Sequence, residues 1–155
     1  MSRAFVKEPD GDSVELLPDR PVSPHRNFVT ERGLALIEAE VARLQAAVAG
    51  GEDAEPDRSK RAERRRDLRY WLARRASAEL TPDPIRAEEV RFGHRVTIAR
   101  DDGRRQTFRI VGEDEADPGK GLISHASPLA AALFGRRVGE KVSAGATKAM
   151  VVAIG

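Results

Sequence analysis

Residues 34–48, Leu34-Ala35-Leu36-Ile37-Glu38-Ala39-Glu40-Val41-Ala42-Arg43-Leu44-Gln45-Ala46-Ala47-Val48, decide the first half of the fold. Leu34, Ile37, Val41, Leu44 and Val48 recur at spacings of 3, 4, 3 and 4. That is a heptad seam along one helix face, with Glu38, Glu40 and Arg43 outside it. Thr30 reads as the N-cap, with Glu31 at the positive end of the helix dipole. Gly50-Gly51 ends the run. Such a helix spans about 28 Å at 1.5 Å per residue.

Outward on the C-terminal side, Gly50-Gly51-Glu52-Asp53-Ala54-Glu55-Pro56-Asp57 is a loop with four carboxylates in eight positions. A second helix is expected from about Asp57 to Leu80, stopped by Thr81-Pro82-Asp83-Pro84, with Leu68, Trp71, Leu72, Ala76 and Leu80 as its apolar stripe. Two helices joined by so short a loop predict an antiparallel hairpin over 30–80. On the N-terminal side, Pro9, Pro18, Pro21 and Pro24 break any helical period, so 1–29 reads as an extended arm, with local pairing at Ala4–Val6 left open.

Beyond a linker at 81–89 the period changes from helix to strand. Val96 and Ile98 alternate with Arg95, Thr97 and Ala99; Asp101-Asp102-Gly103 turns, and Gln106–Val111 returns. An acidic loop over 113–119, a short strand at Leu122-Ile123, and strands at Val138–Val142 and Ala149–Ile154 follow. Ser127 as N-cap and Pro128 at the first helical position open a short helix that Gly135 closes. The expected fold class is α+β: a helical hairpin, then an antiparallel sheet with one short helix over 90–155.

Composition narrows the function classes. The 155 residues include no cysteine, which excludes disulfides, a thiolate nucleophile and a Cys-based zinc site. No run approaches the ~18 apolar residues of a membrane span. The start, Met1 to Glu8, turns acidic where a signal peptide is apolar, so a soluble cytoplasmic protein is expected, and separately a monomer. Lys+Arg and Asp+Glu number 27 and 25, a net charge of +2. The balance is local, however. The stretch from Arg58 to Arg75 carries nine basic residues against two acidic ones, placing an arginine collar directly behind the acidic tip. From residue 81 onward the count is 12 basic to 10 acidic.

Arg109-Ile110-Val111-Gly112, Asp114-Glu115-Ala116-Asp117, Ile123-Ser124, Ser127-Pro128-Leu129-Ala130 with Leu133, and Val138-Gly139 occur in this order. In these motifs the chain, over about 90–154, resembles the bacterial Gre transcription-elongation factor family. The resemblance implies an FK506-binding-protein-like (FKBP-like) domain, preceded by an antiparallel coiled-coil hairpin. It also implies binding to RNA polymerase beside its secondary channel, with the domain on the rim and the hairpin pointing inward. Ser127 and Pro128 carry over as rim contacts; Ala126 stands where the family often has an acidic or amide side chain.

In the family, transcript cleavage rests on acidic tip residues that hold the polymerase's second Mg²⁺. Cleaving members carry Gly-Asp-x-Ser-Glu-Asn-Ala-Glu/Asp-Tyr. This tip lacks the Ser-Glu-Asn-Ala core, and the hairpin is shorter, as in relatives similar to the regulator of nucleoside diphosphate kinase that occupy the channel without cleaving. Glu52, Asp53 and Glu55 supply hard oxygen ligands of the right type, so a Mg²⁺ shared with the polymerase stays open; no cofactor of the chain's own is expected. The alternative is a solvated turn that only spaces or occludes. Arg61, Arg64, Arg65 and Arg66 are candidate contacts for nascent RNA or an acidic channel wall, against the reading of a solvated face balanced by helix carboxylates. A direct nucleic-acid binder through this helix is a third reading. Trp71 is expected to pack where the hairpin joins the domain. His25, His94 and His125 have no ligand spacing, and Gly119-Lys120-Gly121 lacks a phosphate-loop pattern. Phe92, Phe108 and Phe134 are too few for a proline pocket, so prolyl isomerase activity is not expected; the resemblance implies a regulatory factor acting on RNA polymerase and no enzyme.

Overall fold

Thr30 begins the helical half in the way its side chain dictates. Its backbone is extended and its Oγ1 accepts from the Gly33 amide at 3.0 Å. The computed structural model describes residues 17–155, so the Ala4–Val6 pairing lies outside the described residues. Helix α1 runs Glu31–Ala49, with Ile37, Val41 and Leu44 buried in its seam.

The expected loop over 50–57 is partly helical: a single turn, α2, spans Gly51–Ala54. Glycines make this turn feasible. Gly51 sits at φ +54°, and a Cβ on Gly50 would stand 2.3 Å from that of Ala54. Asp57 then caps helix α3 (Arg58–Ser77), accepting from the amides of Ser59 at 2.9 Å and Lys60 at 3.3 Å. α3 packs back along α1.

Helix α3 stops at Ser77 rather than Leu80. Ala78–Leu80 instead forms strand β2, paired in parallel with strand β1 (Asn27–Val29) from the end of the arm. Pairing satisfies backbone groups that a fraying helix end would leave to water. Two members of the expected stripe, Ala76 and Leu80, are consequently exposed, and the buried residue of α3 is Arg74.

The second half is a five-stranded sheet in the order β5-β4-β3-β7-β6. Its strands are β3 (Arg95–Arg100), β4 (Arg105–Val111), β5 (Leu122–Ser124), β6 (Lys141–Ala144) and β7 (Thr147–Ile154). The expectation of a wholly antiparallel sheet is corrected at one edge, where β5 pairs with β4 in parallel. The chain leaves β4 through the acidic loop and a 3₁₀ turn at Pro118–Lys120, long enough to cross over instead of forming a hairpin. The expected strand at Val138–Val142 starts later, at Lys141. Gly139, at φ +92°, places Val138 in a turn with 57% exposure. Helix α4 (Pro128–Leu133) covers the inner face, burying Ala130 and Leu133 against Val96, Ile98, Ile110 and Val151.

Among the described residues no helix is long and apolar enough to cross a membrane.

Candidate functional site

The tip carboxylates are not equivalent. Glu55 is turned inward: its Oε2 accepts from Arg64 Nη2 at 3.0 Å, its Oε1 from the Asp57 amide at 3.1 Å, and its side chain is 15% exposed. Glu52 is solvent-facing and meets Arg61 only at 3.5 Å. Asp53 is exposed. The three therefore do not converge, and among the described residues no group of three His, Cys, Asp or Glu side chains could hold a metal ion. Mg²⁺ shared with another protein requires only one or two of them. Asp53 fits that role directly, and Glu52 at the loss of a weak contact.

The collar divides in the same way. Arg61 donates to the carbonyl oxygens of Glu55 and Pro56, both at 2.8 Å, and so acts as a brace for the tip. Arg64 neutralises Glu55. Arg66 folds onto Asp67 at 3.0 Å, and Arg69 onto Asp19 at 2.7 Å. Of the four candidate contacts, Arg65 alone is both exposed and without an acidic partner among the described residues. Arg61, Arg64 and Arg65 also line a shallow groove with Ala47, Val48 and Gly51.

A buried polar cluster that sequence reasoning missed joins the helices to the sheet domain. Arg74, 1% exposed, donates from Nε to Asp114 Oδ2 at 2.6 Å. Its Nη2 donates to Asn27 Oδ1 at 2.8 Å and to Glu113 Oε2 at 3.3 Å. Asn27 in turn donates to the Arg74 carbonyl at 2.8 Å. Nearby, Thr30 Oγ1 donates to buried Glu115 at 2.5 Å, so the acidic loop also ties down the start of α1. The available signals were an arginine three residues past Trp71, in the seam, and three consecutive carboxylates at 113–115.

Tyr70 donates to Asp114 Oδ1 at 2.5 Å. Burial, then this bond to a carboxylate and the carboxylate's charge, push its phenol up to about 12. A folded-state value above the unfolded ~10 stabilises fully below pH ~10, and that contribution is lost as pH rises towards ~12. Tyr70 is the chain's single tyrosine, so ultraviolet titration reads it alone. Ionisation near pH 12 is expected, and a midpoint near 10 in the folded protein would contradict the contact. Trp71 was expected at the join with the domain. It meets Tyr70 edge-on at 5.1 Å, and the arm's Arg20 guanidinium lies 3.9 Å from the Tyr70 ring centre.

In the sheet domain, Ser127 Oγ accepts from the Ala130 amide at 3.3 Å as the cap of α4, and Pro128 is exposed beside it. His125, just before them, is flanked by Phe28 at 5.2 Å and Phe92 at 5.8 Å, and burial pushes its pKa down. His94 is fully satisfied: Nδ1 accepts from the Arg91 amide and Nε2 faces the Arg86 carbonyl, both at 2.9 Å.

A family model described as transcription elongation factor, GreA/GreB, C-term, matches residues 85–154. Transcription elongation factor GreA of Chloroflexus aggregans is 36% identical over 137 residues, covering 75% of this chain and 86% of the relative. This chain belongs to the GreA/GreB family of transcription elongation factors. Transcription elongation factor GreB of Neisseria meningitidis serogroup B is 44% identical over 75 residues, 46% of each chain. A crystal structure of GreA factor homolog 1 (Gfh1) of Thermus thermophilus aligns at 23% identity and a TM-score of 0.42, covering 84% of this chain and 99% of that one. The alignment with the Chloroflexus GreA spans 137 positions but uses 75% of 155 residues, about 116, so that family member holds about 20 residues that this chain lacks.

Proposed function

We propose that this Gre-family chain binds RNA polymerase core enzyme at the secondary channel and modulates elongation without strong transcript cleavage of its own. In this reading the FKBP-like domain docks through Ser127 and Pro128, the coiled-coil hairpin enters the channel, and the protein works as a monomer in the cytoplasm. The observation that carries it is the tip: Glu55 is held by Arg64, Arg61 braces the loop carbonyls, and the Ser-Glu-Asn-Ala core is missing. A carboxylate already neutralised by an arginine is a poor Mg²⁺ ligand, because the metal must displace the guanidinium as well as water. The ~20 residues missing from the aligned stretch support the same reading. If the missing ~20 residues are shared by two helices, the tip is set back about 15 Å at 1.5 Å per residue.

A cleavage factor acting through shared Mg²⁺ is the second reading, favoured by the exposure of Asp53. There the metals and the chemistry belong to the polymerase, and Asp53 would hold the ion while water attacks the RNA phosphate. Contact with nascent RNA would fall to Arg65, the free candidate of the collar.

A backtracked elongation complex separates the readings. The RNA is expected to keep its length with this protein alone, and cleavage by a known factor to slow as this protein is added. RNA shortening that disappears with Asp53→Ala overturns the proposal in favour of the second reading. No effect on the known factor at any concentration overturns channel binding itself.

A further inference from the structure

The five strands β3 to β7 contain no aspartate or glutamate, whereas they carry six arginines and lysines. Every carboxylate of the sheet domain lies in a turn or loop. Strand register places five of the six cations on one face, the face opposite α4. Arg95, Thr97 and Ala99 of β3 stand opposite Arg109, Thr107 and Arg105 of β4. Thr97 and Ala99 also face Ala153 and Met150 of β7, and Met150 and Lys148 face Lys141 and Ser143 of β6. Among the described residues, only Arg109 of the five has an acidic partner, Asp83 of the linker at 3.0 Å. Arg105, Lys141 and Lys148 are exposed and have none among the described residues.

From this charge segregation we infer that the outer sheet face is a docking surface for the phosphate backbone of duplex DNA. Arg105, Ala99, Met150 and Lys141 form one row across four strands, about 14 Å end to end at ~4.8 Å per strand. That matches cations set on either side of a groove ~12 Å wide. Apart from Met150, the floor between them is small and hydroxylated: Ala99, Ala153, Thr97 and Thr107, the last two hydrogen-bonded to each other at 2.9 Å. Hydroxyls beside Lys and Arg are ordinary phosphate partners. Among the described residues no aromatic lies on this face, so it offers no platform for unstacked bases, and a strand whose bases stay paired fits it better. A protein partner fits less well, because the face offers no aromatic anchor and its β6–β7 side is lined by Lys141 and Lys148, a residue type depleted at interface centres. The surface is separate from the tip, the collar and the Ser127–Pro128 loop, and does not depend on the channel reading.

The test is fluorescence anisotropy of a labelled 20-base-pair duplex titrated with the full chain over a series of KCl concentrations. The variant Arg105→Gln/Lys141→Gln/Lys148→Gln should weaken binding at least tenfold at low salt. It should also reduce the slope of log affinity against log salt by about 2–3, near 0.9 per lost contact. All three positions are exposed, so circular dichroism should show an unchanged melt. Arg43→Gln/Lys60→Gln/Arg75→Gln removes the same charge from the helices and should change affinity less than twofold. Equal weakening by both variants, or weakening by the helix variant alone, overturns the proposal. So does displacement of the duplex by polyglutamate at matched charge, which would mark an acidic protein as the partner.

Discussion

Replacing Arg74 by alanine is expected to lower the melting temperature by about 10–15 °C, a loss of ~3–5 kcal/mol. The side chain is 2% exposed and binds three groups from two distant parts of the chain: Asn27 at the end of the arm, and Glu113 and Asp114 in the loop after β4. The truncation leaves Asp114, itself 8% exposed, buried without its cation. It also leaves the Asn27 amide oxygen unpaired. Burial alone would lower the Arg74 pKa, but the hydrogen bond and charge of Asp114 outweigh it and hold the guanidinium charged. Thermal melts followed by circular dichroism check the size. A variant melting within 3 °C of the parent would contradict it.

The cause can be separated from simple loss of volume. Arg74→Lys keeps the charge but cannot reach Asp114 and Asn27 together, so it should recover less than half of the loss. Arg74→Met combined with Asp114→Asn should be more stable than Arg74→Met alone, because the stranded charge is then gone. Arg66→Ala is the control. Its ion pair with Asp67 is 30% exposed on both sides, and such a pair contributes ~0–1 kcal/mol.

What could be read from the sequence follows the range of the interactions. α1 was legible because its seam and both of its ends, Thr30 and Gly50-Gly51, are local. The start of α4 was legible for the same reason, through Ser127-Pro128. Strands β1 and β2 were not. Asn27-Phe28-Val29 and Ala78-Glu79-Leu80 are too short to show alternation, and Asn and Glu are poor strand residues. Their partners lie 51 residues apart, so the pairing is tertiary. The tip was half legible. Its carboxylates could be counted, but Arg61 and Arg64 turning back across the cap to hold the loop depended on the one-turn helix at Gly51–Ala54, which no sequence period reveals. The basic sheet face was hidden by a nearly balanced count, and only register separates its cations from the carboxylates in the turns.

Leu133→Ala is the other large loss expected, ~2–5 kcal/mol. α4 has six residues, too few to hold a helix by its own hydrogen bonds, so its position depends on what it buries. Ala130 and Leu133, both at 0% exposure, are those anchors. Emptying the Leu133 site leaves a cavity against the sheet and loosens the helix whose first residues are the proposed polymerase contacts. Ser127→Ala, by comparison, removes one cap bond and should cost ~1 kcal/mol, and exposed Pro128→Ala should leave stability within ~0.5 kcal/mol. Denaturant unfolding by circular dichroism, paired with binding to core polymerase, separates presentation from contact. In Leu133→Ala affinity and stability should fall together, whereas in Pro128→Ala affinity should fall with an unchanged melt. A Leu133→Ala loss below 1 kcal/mol would mean that α4 is held by its cap and loop rather than by the core. Unaltered binding in Pro128→Ala would move the contact away from the α4 N-terminus altogether.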